Sequence, residues 1–182
     1  MIKTLLIIAG SDSGGGAGIQ ADIKTACAHK VFATTAITAL TAQNTLGVSG
    51  VFNSSPEFIA AQINAVLSDI GTDAIKIGML SNAEIIKAIY PLLASNQQPL
   101  VLDTVMLAKG GAALLEENAV EALKTLLIPL ATIVTPNIPE AEALANMPIK
   151  NTADMVLAGN KIGTWRKGGF AKRWAYGRRC CD

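Results

Sequence analysis

Short apolar runs and amphipathic stretches take turns along residues 4–162, and each pairing predicts a strand followed by a helix. Leu5-Leu6-Ile7-Ile8 is wholly apolar and leads to Gly10, as a strand buried on both faces reads. A helix is expected over 19–28 and a Thr- and Ile-rich second strand over 33–40. Ser54-Ser55-Pro56-Glu57 marks a helix start, with a capping serine, proline in the first turn and an acid at the positive end of the dipole. Phe58, Ile59, Ile63, Val66 and Leu67 fall on one face of that helix. The pattern then repeats. A strand over 74–77 precedes Ser81 and Glu84, spaced as a capping box, and a helix running towards Leu93. Strands over 100–102 and 132–134 are each followed by an acid-bearing loop, and helices are expected over 117–127, from Pro139, and over 152–162. Such alternation predicts an α/β domain with a mainly parallel sheet and helices on both faces. Ligands of such sheets bind beyond the carboxyl ends of the strands.

Composition sharpens this picture in two ways. Hydrophobic residues make up 51% of the 182 positions and charged residues 16%, which excludes an intrinsically disordered chain. Aromatic residues are only 4%, so the core is expected to be aliphatic, with Cys27 counted among its thiols. The net charge of +1 gives no global field for nucleic acid or an anionic membrane, and no apolar run reaches transmembrane length. Three cysteines without paired spacing suit a reducing compartment, so a cytoplasmic location is expected. The average hides a break near residue 164. Residues 1–164 carry nine lysines and no arginine against thirteen acids, whereas residues 165–182 hold six basic residues, including all four arginines, against Asp182 alone. Both tryptophans, Trp165 and Trp174, also lie there. Two readings fit this segment: a basic arm for an acidic partner, or an extension out of frame with the domain. Its lack of an apolar period favours the second. The domain is therefore expected over 1–164 and an irregular, basic tail over 165–182.

The first strand-to-helix loop reads Ala9-Gly10-Ser11-Asp12-Ser13-Gly14-Gly15-Gly16-Ala17-Gly18. Its glycines allow close approach of backbone to a ligand, and the helix behind them points its amino end at the site. The spacing fits neither the P-loop nor the dinucleotide fingerprint. His29, the one histidine, stands at a helix end away from this loop, so no histidine-based triad is arguable. Cys180-Cys181 lacks metal-ligand spacing.

The run from Ala9 through Asp22 resembles the start of the hydroxymethylpyrimidine and phosphomethylpyrimidine kinases of thiamine biosynthesis, members of the ribokinase-like superfamily. Further blocks resemble that family in order: Thr41-Ala42-Gln43-Asn44-Thr45, Lys76-Ile77-Gly78-Met79-Leu80, Leu102-Asp103-Thr104-Val105-Met106 with Ala108-Lys109-Gly110-Gly111, and Thr135-Pro136-Asn137 with Glu140-Ala141-Glu142. The resemblance implies a three-layer αβα ribokinase-like fold and ATP-dependent phosphorylation, with magnesium, of the pyrimidine's hydroxymethyl group and then of its monophosphate. It implies that Gly10, Ala17, Asp22, Gln43 and Met79 surround the pyrimidine. It implies that Asp103 and Glu140 orient magnesium, that Asn137 joins them at the nucleotide, and that Lys109 closes over the phosphates. A carboxamide such as Gln43 can both donate and accept, which suits an aminopyrimidine edge. Relatives further suggest a homodimer. Pyridoxal kinase, or a pyrimidine-binding protein without catalysis, are the alternative readings.

Two departures stand out within the matched blocks: many relatives carry Pro at the position of Thr104, and Thr-Gly at Ala145-Asn146. A larger one concerns the carboxyl-terminal part of the family, which supplies a G-T-G-C segment with an anion hole and the catalytic cysteine. No such segment occurs in these 182 residues. No catalytic residue is therefore assigned, and impaired turnover is expected.

Overall fold

The computed structural model describes residues 2–106 and 115–163. They form one six-stranded sheet in the order β3-β2-β1-β4-β5-β6. The strands are β1 (Thr4–Asp12), β2 (Phe32–Asn44), β3 (Gly47–Asn53), β4 (Ala74–Ile77), β5 (Leu100–Leu102) and β6 (Ile133–Val134). All neighbouring pairs are parallel except β2 and β3, which form an antiparallel hairpin. The helices are α1 (Gly18–Ala28), α2 (Pro56–Ala65), α3 (Ala83–Ala94), α4 (Glu117–Ala122), α5 (Ile138–Ala145) and α6 (Thr152–Gly163). Wider π turns, Val66–Ile70 and Leu123–Leu127, prolong α2 and α4.

β1 is central, and its apolar run is buried on both faces as the sequence requires. Leu6 and Ile8 face the large core built with α2, α3 and their successors, while Ile7 and Ala9 pack with Ile19 of α1 on the other side. The layers follow from this alternation, because successive strand residues point to opposite faces. Ser55 caps α2 by accepting a hydrogen bond from the Phe58 amide, with Pro56 just inside the helix. Asn146 ends α5 in the left-handed conformation, a role asparagine tolerates better than most residues.

Several expectations need correction. β3 is absent from the sequence reading, because Gly47-Val48-Ser49-Gly50-Val51-Phe52-Asn53 is solvated on both faces and shows no period of two. β2 likewise runs on to Asn44 rather than ending at Leu40. The capping box at Ser81 and Glu84 does not form. Asn82 caps α3 through its side chain to the Ile85 amide, while Ser81 sits just outside with φ +67° and its buried hydroxyl has no partner among the described residues. Phe58 is exposed rather than on the buried face of α2, and Cys27 is an exposed free thiol because Ala26 takes the buried position of its turn. The segment 165–182 lies outside the described residues. Among the described residues no helix is long and apolar enough to cross a membrane.

The amino end of β1 is pinned to the start of β4 by one aspartate. Asp73 accepts hydrogen bonds from Lys3 Nζ at 2.8 Å, the Thr4 amide at 2.8 Å and Thr4 Oγ1 at 3.2 Å. The Lys3 hydrogen bond first, then that of the Thr4 amide, holds the Asp73 carboxyl below the ordinary aspartate value. A depressed carboxyl contributes stability above its unfolded value and loses it as pH falls through its folded value. Asp73→Asn is therefore expected to lower stability slightly at neutral pH, as befits a surface pair, and to flatten the acid limb of a stability-versus-pH curve below about pH 4, where variant and wild type converge. Urea midpoints measured across that range check the point, and an unchanged acid limb would refute it.

Candidate functional site

The glycine loop leaves the carboxyl end of β1, and one buried aspartate gives it its shape. Asp12, only 4% exposed, accepts hydrogen bonds from the amides of Gly14 (2.8 Å), Gly16 (2.9 Å) and Ala17 (2.8 Å), while its own carbonyl accepts from the Gly15 amide. The positive amino end of α1 is thus already met by a carboxylate. Three of the loop's amides turn inwards to Asp12. Gln20 braces the same corner, accepting from the Asp12 amide and donating to Ser11 Oγ. Gly18, at φ +56°, lies so close to the Gly10 carbonyl that a Cβ there would sit 2.3 Å from its oxygen. Asp12 and Gly18 were not singled out from the sequence. Aspartate two residues before a glycine run is a common turn motif, and that local signal could have found the first.

The expected pyrimidine residues gather at the carboxyl ends of adjacent strands. Ser13 ties the loop to the end of β2, its Oγ donating to the Gln43 carbonyl at 2.6 Å and accepting from the Gln43 amide at 2.8 Å. Both pairings of β2 shift register here, between Ala9 and Ser11 on β1 and between Ala42 and Gln43 on the hairpin side. Such bulges re-aim side chains at strand ends. The Gln43 carboxamide accepts a 3.3 Å hydrogen bond from Thr41 Oγ1 and makes no other among the described residues. Met79, after β4, is held by Thr38 Oγ1 donating to its carbonyl at 2.6 Å, and its sulfur lies against Gly10, where a Cβ would come within 3.2 Å. Ala17 stands at the N-cap of α1. Gly10, Ala17, Gln43 and Met79 thus converge around one loop.

Asp22 and Asp103 meet through a lysine. Lys76 Nζ lies 2.7 Å from Asp22 Oδ2 on α1 and 4.0 Å from Asp103 Oδ2, the residue after β5. Asp103 Oδ1 also accepts from Thr135 Oγ1 at 3.4 Å, which links the ends of β5 and β6. Burial pushes the Asp103 carboxyl above the ordinary aspartate value, and the Lys76 ammonium acts against that push.

Glu140 and Asn137 behave differently. They form a reciprocal capping box at the start of α5: Asn137 Oδ1 accepts from the Glu140 amide and Glu140 Oε2 from the Asn137 amide. Glu140 Oε2 also takes the Thr104 hydroxyl at 3.0 Å, and Oε1 the Met106 amide at 3.4 Å. With the side chain buried, this carboxylate is committed to its own loop. Thr104, one of the departures noted above, is thereby put to use. Among the described residues no hydrogen bond or ion pair joins Asp103 to Glu140, and no group of three or more His, Cys, Asp or Glu poised for a metal occurs. Lys109 lies outside the described residues.

Residues 12–168 match the model of the phosphomethylpyrimidine kinase family. The hydroxymethylpyrimidine/phosphomethylpyrimidine kinase of Haemophilus influenzae is 56% identical over 149 residues, which are 81% of this chain but 55% of that protein. This chain thus spans little more than half the length of that relative. The solved phosphomethylpyrimidine kinase of Clostridium difficile superposes with a TM-score of 0.84 at 48% identity, covering 91% of this chain and 72% of that one. The pyridoxal kinase of Staphylococcus aureus in complex with AMP-PCP and pyridoxal gives 0.80 at 37% identity, covering 91% and 60%.

Proposed function

The chain belongs to the phosphomethylpyrimidine kinase family, and on that premise we propose that it takes part in ATP-dependent phosphorylation of 4-amino-5-hydroxymethyl-2-methylpyrimidine and of its monophosphate. The observation that carries this reading is the convergence of Gly10, Ala17, Gln43 and Met79 on the glycine loop, with Asp22 and Asp103 joined through Lys76 on the neighbouring strands. The glycine loop and the Met79 sulfur, packed against each other at Gly10, would offer a surface for a flat heterocycle. The Gln43 carboxamide, nearly free of protein partners, can donate to a ring nitrogen and accept from an exocyclic amine. The pyrimidine's hydroxymethyl group would then be turned towards Asp103, the residue after β5.

ATP as phosphoryl donor is supported by the kinship with a kinase solved with AMP-PCP. Magnesium bound with the nucleotide supplies charge neutralisation across the transferring phosphates. Asp103 fits that ion, directly or through water: its carboxyl side chain is 38% exposed and accepts a hydrogen bond from Thr135. Glu140 serves instead by fixing the loops that carry Thr104 and Asn137, and Lys109 is assigned to phosphate closure. A cytoplasmic homodimer with its domain over residues 1–164 completes the reading.

Calorimetric titration of the 182-residue chain with hydroxymethylpyrimidine and, separately, with pyridoxal tests the proposal. Binding of the pyrimidine is expected to be the tighter, and Gln43→Ala to weaken it about tenfold by removing a paired polar contact. Absence of pyrimidine binding by folded protein would sink the reading, and tighter binding of pyridoxal would transfer it to the pyridoxal kinases. Unchanged affinity in the variant would remove only Gln43 from the site.

A further inference from the structure

Lys76 lies on β4, in a place where a charge is hard to justify by packing. Its strand neighbours Ile75 and Ile77 point into the main core, whereas Lys76 points to the α1 face, in register with Ile7 of β1 and Val101 of β5. Its side chain is only 21% exposed, so desolvation of the ammonium must be offset by partners. Those partners come from two different parts of the sheet end: Asp22 on α1 at 2.7 Å and Asp103 beyond β5 at 4.0 Å. Gly78 leaves room for the arrangement, since a Cβ there would stand 3.1 Å from Lys76 Nζ. Fastening α1 to the sheet requires one carboxylate. A second, half-buried carboxylate brought to the same ammonium serves no packing purpose and sets two like charges on either side of it.

We infer that Lys76 is a positioning residue that couples the two halves of the site, holding the Asp22 carboxylate towards the pyrimidine and the Asp103 carboxylate towards the nucleotide's metal while touching neither ligand. The inference rests on the proposed function. Without the ammonium, Asp22 and Asp103 face each other as like charges, and the Asp22 carboxylate loses the 2.7 Å ion pair that holds it to β4. Loss of Lys76 is then a defect that removal of the second carboxylate repairs, which no simple fastening role predicts.

The experiment is calorimetric titration of hydroxymethylpyrimidine into wild type, Lys76→Met, Asp103→Asn and the double variant Lys76→Met/Asp103→Asn, each well below its own melting temperature. Lys76→Met is expected to weaken binding about tenfold, and Asp103→Asn in that background to recover at least about threefold, a non-additivity of the size shown by directly coupled charges. Lys76→Gln, which keeps a hydrogen bond to Asp22 and loses the charge, replaces Lys76→Met in the same cycle should the latter fail to fold. If wild type binds and the Lys76 variants bind equally well, the inference falls and the proposed function stands. If they bind weakly and Asp103→Asn restores nothing, Lys76 is only a fastening for α1 and the inference falls likewise. If wild type itself binds no pyrimidine, the proposed function fails and takes the inference with it.

Discussion

Gly18→Ala is expected to destabilise the protein by about 2–4 kcal/mol and to abolish pyrimidine binding. Two independent penalties meet at this residue. Its φ of +56° places a side-chain-bearing residue in the left-handed region, and the added Cβ would lie 2.3 Å from the Gly10 carbonyl oxygen, well inside contact distance. The obstacle is backbone, so it cannot rotate away as a side-chain tip could. Relief requires the loop to part from the start of α1, which breaks the Asp12 hydrogen bonds to Gly16 and Ala17. Gly16→Ala is the matched control. Its φ is not left-handed, and the nearest obstacle to a Cβ is Asp12 Oδ2 at 3.9 Å, an ordinary contact. Urea unfolding of both variants beside wild type checks the difference; equal midpoints would show that the loop yields easily.

The second large effect concerns turnover. The 182-residue polypeptide, assayed by itself for ATP consumption with hydroxymethylpyrimidine, is expected to bind the pyrimidine yet turn it over at least about a hundredfold more slowly than its longer relatives. The transferring phosphoryl group needs donors aimed at its equatorial oxygens. By resemblance, those donors and the catalytic cysteine belong to a G-T-G-C segment that these residues do not include. The glycine loop cannot stand in for it, because the amides of Gly14, Gly16 and Ala17 are already donated to Asp12. Joining the corresponding part of a longer relative in frame after the domain is expected to restore turnover. Relative-like rates from the 182 residues alone would show that the donors come from elsewhere, a partner copy included.

What could be read in the sequence divides along physical lines. β1, β4 and β5 and the helices between them were legible, because burial on one or both faces writes itself into apolar spacing: Leu6, Ile7 and Ile8 are all fully buried. β3 was not, since a strand wetted on both faces leaves no period. The start of α3 was misplaced by one residue, because Ser81 and Asn82 are both good caps and only the backbone geometry chooses Asn82. For the site, the glycine loop announced itself by composition, and strand ends pointed to Asp103. Spacing could not reveal that the Glu140 carboxylate turns to Thr104, Met106 and Asn137, or that Lys76 lies between Asp22 and Asp103. Those pairings join residues 27 to 54 positions apart, or depend on which way a carboxylate rotates within its own turn.

A run with so many glycines is ordinarily a region of high chain entropy, and a ligand that had to order it would bind weakly for that reason. Here the three inward amide bonds to Asp12 and the Gln20 brace fix the loop when the chain folds. The conformational loss falls on the folding equilibrium, so a heterocycle bound as proposed would meet a loop already ordered. On the proposed function, selection among flat ring ligands would then be a matter of fit against a fixed outline, with the discriminating motions left to Gln43 and Met79.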